Sequence, residues 1–122
     1  MTWNITADRP VYLQLIEQLE LAIVAGEYRA GGKVPSVREL AAHAGVNPNT
    51  MQKALQELET RGLVVTQRTA GRTITEDEQM ITQLRRQMAA EQIGRFLEMM
   101  QKLGFTKEET LALLKAQAEE EA

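Results

Sequence analysis

Cysteine is absent from this chain of 122 residues, and histidine and serine occur once each. A chain without cysteine has no disulfide framework and no thiolate metal site. One histidine makes a transition-metal site poor, so we expect neither a metal nor a cofactor. Ser36 begins a predicted helix and His43 lies on a predicted solvent face, so a Ser/His/Asp catalytic arrangement is the least supported interpretation. We expect no catalytic residues and no enzyme activity.

Long apolar runs are also missing. No stretch is long enough to cross a bilayer and the chain begins with no signal peptide, so we expect a cytoplasmic protein. Aromatic residues make up only 4% of the sequence, which suits a helical protein with an aliphatic core. The length allows one ordinary domain, or a small domain with an appendage.

The middle of the chain predicts two short helices joined by a tight turn. Ser36 is followed three residues later by Glu39, which is the capping-box spacing at a helix start. Gly45 can adopt the left-handed conformation that ends this helix. Asn47 then caps a second helix with Pro48 at its first position, where a missing N–H group costs nothing.

The second of these helices has one apolar and one polar face. The apolar positions recur at helical spacing and are Met51, Ala54, Leu55 and Leu58. The opposite face carries Asn49, Gln52, Lys53 and Gln56. A short helix that follows a glycine-containing corner and exposes amides and a lysine is typical of a helix-turn-helix.

A hairpin is predicted directly after this motif. Residues 63–67 are apolar and β-branched, residues 68–71 form a turn, and residues 72–75 form the return strand. A hairpin in this position is the wing of a winged helix. Arg68 and Arg72 flank the tip and could enter a minor groove or contact phosphate, although a solvated turn is the alternative.

The segments before the motif are assigned more simply. Residues 1–9 are interpreted as a short arm or strand. A helix then begins near Pro10, carries a buried stripe and ends at Gly26. The glycine-rich stretch that follows is a connector and not a phosphate loop, because Gly32-Lys33 leads into Val34 instead of a serine or threonine.

Two helices are predicted after the wing. Thr75 and Glu78 form a capping box for a long helix that ends near Leu103, and Thr106 caps a last helix. The apolar positions exceed what one small chain can bury, which predicts a homodimer. The predicted interface residues are Ile81, Leu84, Met88, Ile93, Phe96, Leu97, Met100, Leu111 and Leu114.

Charge is distributed unevenly along the chain. The net charge is −3, but residues 33–72 carry six basic and three acidic side chains. This local basic excess coincides with the helix-turn-helix and wing, where counterion release would favour DNA binding.

The motif also carries a family resemblance. The pattern PSxRELAxxxxVNxxTxxxALxELxxxGLV, from Pro35 to Val64, resembles the DNA-binding domain of the GntR family of bacterial transcription regulators. The short tail of two helices resembles the YtrA-type branch. The resemblance implies a dimeric regulator, and it implies that Arg38 contacts DNA. At the wing tip the family usually has a glycine where this chain has Thr69, and it often has a basic residue where this chain has Pro48 or Gln52.

We therefore predict a mainly α (α+β) fold, with a winged helix-turn-helix and a two-stranded wing over residues 1–75 and a two-helix dimerisation tail over residues 76–122. The predicted function is a repressor that binds an inverted-repeat operator as a homodimer. The alternative is a winged-helix module that binds protein without sequence-specific DNA binding. The predicted DNA-binding residues are Ser36, Arg38, Asn47, Pro48, Asn49, Thr50, Gln52, Lys53, Arg68, Thr69 and Arg72.

Regulation has two open interpretations. A small-molecule effector, whose identity the sequence does not indicate, would bind at the dimer interface or between the tail and the DNA-binding part. Alternatively, no small molecule binds and operator occupancy follows protein concentration.

Overall fold

The structure, a computed structural model, describes residues 1–121 as five helices and one two-stranded antiparallel sheet. The elements in chain order are α1 (Val11–Val24), α2 (Val37–Ala44), α3 (Pro48–Thr60), β1 (Val64–Gln67), β2 (Gly71–Ile74), α4 (Glu78–Lys102) and α5 (Lys107–Glu121). The predicted winged helix-turn-helix followed by two helices is confirmed. None of the helices described in residues 1–121 is long and apolar enough to cross a membrane.

The helix-turn-helix is held by the predicted local contacts. The Glu39 backbone N–H donates to the Ser36 hydroxyl oxygen at 3.2 Å. The Glu39 carboxylate accepts from the Ser36 hydroxyl, not from the Ser36 backbone as a complete capping box would require. Gly45 ends α2 at φ +70°, and the Asn47 side chain accepts from the Asn49 backbone N–H at 2.8 Å to begin α3. These contacts set the corner between α2 and α3.

The core lies where α1 and α2 pack against α3. Its most deeply buried apolar side chains include Leu15, Leu19, Leu40, Met51, Leu55 and Leu58. Burying one such side chain is worth about 1.5–3 kcal/mol, so this core is what holds α3 in position. The amide and lysine side chains of α3 therefore lie on its other side.

The wing pairs β1 with β2 in the register Val64↔Ile74 to Gln67↔Gly71. The glycine-rich connector adds one bridge to the outer edge of β2, between Lys33 and Thr73. The Ile74 N–H donates to the Gly32 carbonyl at 2.8 Å. The connector therefore ties the wing to the start of α2, which its composition did not predict.

Residues 1–9 form an arm without strand pairing, so of the two predicted forms the arm is correct. Gln14, which is 4% exposed, holds this arm. Its side-chain oxygen accepts from the Thr6 N–H at 2.8 Å, and its NH₂ group donates to the carbonyls of Thr6 and Arg9. Hydrogen bonds to the buried Gln14 side chain therefore hold the arm in place of the backbone pairing that a strand would form.

The cap of α4 differs from the prediction. Asp77, not Thr75, is the cap, because the Asp77 carboxylate accepts from the backbone N–H groups of Gln79 and Met80. Thr75 is buried, and its N–H donates to the Leu63 carbonyl at 2.9 Å. Thr75 therefore extends the hairpin pairing, and its hydroxyl accepts from the Asp77 N–H instead of capping a helix.

Two compact units make up the chain, Met1–Arg85 and Arg86–Ala122. The first turns of α4 belong to the first unit, where Arg85 donates to the Val24 carbonyl at the end of α1. In the second unit, Thr106 and Glu109 form a complete capping box at the start of α5. The predicted boundary between residues 75 and 76 concerns roles in binding, and it stays a prediction.

Candidate nucleic-acid interface

The outward face of α3 presents the polar residues that its periodicity predicts. Asn49 and Lys53 are exposed, and Gln52 is half-buried. They lie on the side of the helix opposite to the buried Met51 and Leu55. The face is therefore available to a partner, and its chemistry is hydrogen bonding with one positive charge.

The amino end of α3 offers few free backbone donors. The Asn49 N–H is occupied by the Asn47 side chain at 2.8 Å, and the Thr50 N–H donates to the Asn47 carbonyl at 3.0 Å. Pro48 has no N–H group. An anion at this helix end would be attracted by the helix dipole and contacted through side chains.

The start of α2 supplies a hydroxyl and a guanidinium. Ser36 and Arg38 are exposed, with the Ser36 hydroxyl directed to Glu39. Within residues 1–121, the Arg38 side chain has no hydrogen bond or ion pair. Arg38 can therefore neutralise a phosphate without first breaking an internal contact.

A groove of about 840 Å³ separates the start of α2 from the wing. Lys33 lies in its wall with Ser36 and Glu39 on one side, and Thr69 and Gly71 close it on the other. Lys33 was not among the predicted site residues, and the bridge to Thr73 places it here. The groove joins the start of α2 and the wing tip into one surface.

The two arginines of the wing occupy different environments. Arg68 is exposed at the tip beside Thr69. Arg72 instead forms an ion pair with Glu59 of α3 and donates to the side-chain oxygen of Gln52 at 3.2 Å. Both arginines flank the turn in the sequence, but Arg72 is already paired with α3, and a DNA contact of either arginine stays a prediction.

Lys53 also has an internal contact. Its ammonium lies 5.9 Å from the centroid of the Tyr12 ring of α1, a cation–π arrangement. The Tyr12 ring is half-buried on α1. No local pattern connects residues 41 positions apart, so the contact could not be found from spacing.

The predicted dimer residues fall into three groups, which are buried, half-buried and exposed. In the first unit, Ile81 is 7% exposed and belongs to the core. Leu84, Met88, Leu97 and Met100 are half-buried. The large exposed apolar residues of the second unit are Ile93, Phe96, Met99, Leu103, Phe105, Leu111, Leu113 and Leu114. Met99, Leu103, Phe105 and Leu113 were not among the predicted interface residues.

Some pKa shifts occur in parts of the first unit outside these surfaces, and hydrogen bonding to the Glu17 carboxylate raises the pKa of Arg9. A hydrogen bond from the Thr6 hydroxyl lowers the pKa of Asp8, and burial raises the pKa of Tyr28. No group of three His, Cys, Asp or Glu side chains in residues 1–121 is arranged to hold a metal ion. The features that concentrate on the α2–α3–wing surface are thus hydrogen-bonding amides and cations.

Comparison with known proteins gives the same picture. Residues 11–74 match the model of the family described as bacterial regulatory proteins, gntR family. An HTH-type transcriptional regulator of Bacillus subtilis, YhcF, is 38% identical over 109 residues, which cover 89% of this chain and 90% of YhcF. The HTH-type transcriptional repressor YtrA of the same organism is 42% identical over 71 residues, covering 58% of this chain and 55% of YtrA.

Solved structures agree in fold. A GntR family transcriptional regulator from Listeria monocytogenes superposes with a TM-score of 0.84 at 39% identity, covering 92% of this chain and 98% of that one. The structure of AraR(DBD) in complex with operator ORE1 has a TM-score of 0.52 at 25% identity, over 62% of this chain and 94% of that one. The chain therefore belongs to the GntR family, as a DNA-binding transcriptional regulator.

Proposed function

We propose that this regulator is a repressor that binds an inverted-repeat operator as a homodimer. The observation that carries the proposal is the outward face of α3, which exposes Asn49 and Lys53 and belongs to the helix that connects α2 to the wing. In a helix-turn-helix protein the second helix enters the major groove with its amino-terminal residues on the base edges. We infer that α3 takes this position.

Base contacts fall to three residues in this arrangement. Asn49 and Gln52 carry amides, which pair bidentately with adenine, and Lys53 can reach the acceptors of guanine. To contact a base, Lys53 must leave Tyr12, and an exposed cation–π contact is worth only about 0.5–1 kcal/mol. One charged contact to DNA offsets that loss, so the interaction with Tyr12 does not prevent Lys53 from binding.

Phosphate contacts fall to the flanking elements. Arg38 at the start of α2 and Arg68 at the wing tip are exposed cations on the elements that precede and follow α3 in the chain. We assign further contacts with the DNA backbone to Ser36, Asn47, Pro48, Thr50 and Thr69. These contacts position the protein and carry no base preference of their own. Thr69 keeps its side chain at the tip, so we expect a looser approach of the wing than glycine would allow.

The tail supplies the proposed dimer contact. Ile93, Phe96, Leu111 and Leu114 are large apolar residues, each at least 40% exposed, and a patch of this kind on a small chain marks an interaction surface. A two-fold dimer pairs the same patch on both copies. Ile81 is buried in the core of the first unit and offers little surface to a partner. We assign DNA binding to residues 1–75 and dimerisation to residues 76–122.

Two-fold symmetry determines the form of the operator. Two copies of α3 related by a two-fold axis require two half-sites of opposite direction, about one helical turn or roughly 10 base pairs apart.

The repressor role is supported by the 42% identity to YtrA, which is described as a repressor. The short two-helix tail supports placement in the YtrA-type branch. We place the protein in the cytoplasm, where chromosomal DNA is accessible to it.

The test is selection of genomic fragments by the purified protein, followed by binding to the recovered duplex at several salt concentrations. The expected result is one inverted repeat, bound more weakly as salt rises. Transcription of a reporter placed behind that repeat should fall when the protein is present. Enrichment of no sequence would support the protein-interaction alternative, a single half-site would contradict the dimer, and a rise in transcription would contradict repression.

A further inference from the structure

The starting observation is the direction of the Arg72 side chain. Side chains alternate along a strand, so Arg72 lies on the same face of β2 as Ile74. Ile74 is buried in the core of the first unit, which places Arg72 on the inward side of the wing. The Arg72 side chain is 21% exposed, and that of Glu59 is 28% exposed.

Arg72 joins two residues of α3. Its Nε–H donates to the Glu59 carboxylate, and its terminal NH₂ donates to the side-chain oxygen of Gln52 at 3.2 Å. Gln52 and Glu59 are seven residues apart, so they lie on one helix face, about two turns or roughly 10 Å from each other. The Arg72 guanidinium, together with the side chains of Gln52 and Glu59 that reach it, bridges this distance.

The contact determines which way the Gln52 amide faces. A guanidinium has five N–H donors and no acceptor, so only the amide oxygen can be directed at Arg72. The terminal torsion of a glutamine is otherwise broad and roughly two-fold, and a solvated amide can exchange its oxygen and nitrogen positions. Beside Arg72, the exchanged orientation would place two donors against each other.

We propose that Arg72 is a positioning residue for base recognition, and that it sets the orientation of the Gln52 amide while Glu59 holds Arg72 in place. The inference rests on the proposed base contact of Gln52. With the orientation set, the Gln52 NH₂ group donates to an acceptor on a base edge, and the second lone pair of its oxygen can accept from the amino group of adenine. A base that presents a donor at the same place is disfavoured. Arg72 and Glu59 then determine base preference without contacting the base.

The experiment compares variants on a panel of duplexes in which every operator position carries each of the four bases in turn. Gln52→Ala first identifies the position that Gln52 contacts. Arg72→Met keeps an unbranched side chain that resembles the aliphatic stem of arginine, and it removes all donors. At that position, it should reduce the discrimination between bases that present an acceptor to the Gln52 NH₂ group and bases that present a donor to it. The expected reduction is at least about fivefold, the lower end for one bidentate contact. At the other positions, the relative preferences should stay unchanged.

Two further variants separate positioning from charge. Arg68→Met removes the same charge from the wing tip, and it should weaken all duplexes alike. Glu59→Gln weakens the anchor of Arg72 without removing a positive charge, and it should shift preference at the Gln52 position in the same direction as Arg72→Met. In the double variant Gln52→Ala/Arg72→Met, the profile should match that of Gln52→Ala, because coupled residues are not additive.

The outcomes distinguish this inference from the proposed function. Uniform weakening by Arg72→Met, with an unchanged preference at the Gln52 position, overturns the positioning role and leaves operator binding intact. The absence of any sequence preference in the unmodified protein overturns the proposed function itself. Thermal melting checks that each variant is folded. If Arg72→Met does not fold, an unchanged profile in Glu59→Gln overturns the inference.

Discussion

Phe96 offers a direct test of the proposed dimer. It lies on α4 in the second unit and is 40% exposed. A phenylalanine presents about 200 Å² when fully accessible, so roughly 80 Å² of this side chain is left to be covered by a partner. At about 25 cal/mol per Å², covering that area is worth about 2 kcal/mol.

Symmetry doubles the effect. A two-fold interface contains Phe96 from both copies, so Phe96→Ala should weaken dimerisation by about 4 kcal/mol, or roughly a thousandfold in Kd. Because the side chain is not in the core, the variant should keep its helical content. Sedimentation equilibrium over a wide concentration range measures the Kd.

A matched control comes from α1. Leu13 is also 40% exposed but lies in the first unit, outside the proposed interface. Leu13→Ala should therefore leave the dimer Kd unchanged. If Phe96→Ala leaves the Kd unchanged while the protein stays dimeric, the interface lies elsewhere, and a protein that is monomeric at all concentrations would rule out the dimer.

Three further predictions concern the DNA-binding unit. Gln52→Ala should cost about 1–3 kcal/mol of binding free energy on the preferred operator and relax preference at one base position. Gln56→Ala, one turn farther along the same helix, is the control. Equal preference profiles for the two variants would remove Gln52 from the base-contacting residues. Arg38→Ala should weaken all duplexes alike and flatten the salt slope by about one unit in a titration against salt, and an unaltered slope would exclude a phosphate contact. Gly45→Ala should lower the free energy of unfolding, measured by urea denaturation, by about 1–2 kcal/mol, because the backbone at this position has φ +70°. Steric clash does not contribute, since nothing lies within 4 Å of the added methyl group. An unchanged free energy of unfolding would show that the turn can relax.

Much of the fold is predictable because it depends on neighbours along the chain. The starts of α2 and α3 follow from Ser36 and Asn47, whose side chains accept from backbone N–H groups two or three residues later. The buried face of α3 follows from apolar spacing alone. Where a prediction failed locally, a tertiary contact was the reason: Thr75 pairs with Leu63 across the hairpin, so the cap of α4 moves to Asp77.

The arrangement of the candidate site was predictable only in part. Spacing identified the outward side chains of α3 and the exposed Arg68. It did not reveal that the glycine-rich connector joins the edge of the wing through Lys33. Nor did it reveal that Gln14 holds the amino-terminal arm, since a glutamine in a helix stripe has no local sign of burial.

The sequence by itself determined which segments are helices, where α2 and α3 begin, and which family the chain belongs to. Only the tertiary structure decided how the polar side chains of the interface are paired. Arg72 reaches Gln52 across 20 positions of the chain, and Lys53 reaches Tyr12 across 41. Local spacing cannot encode such contacts, because they depend on how the wing and α1 dock against α3 through the buried core.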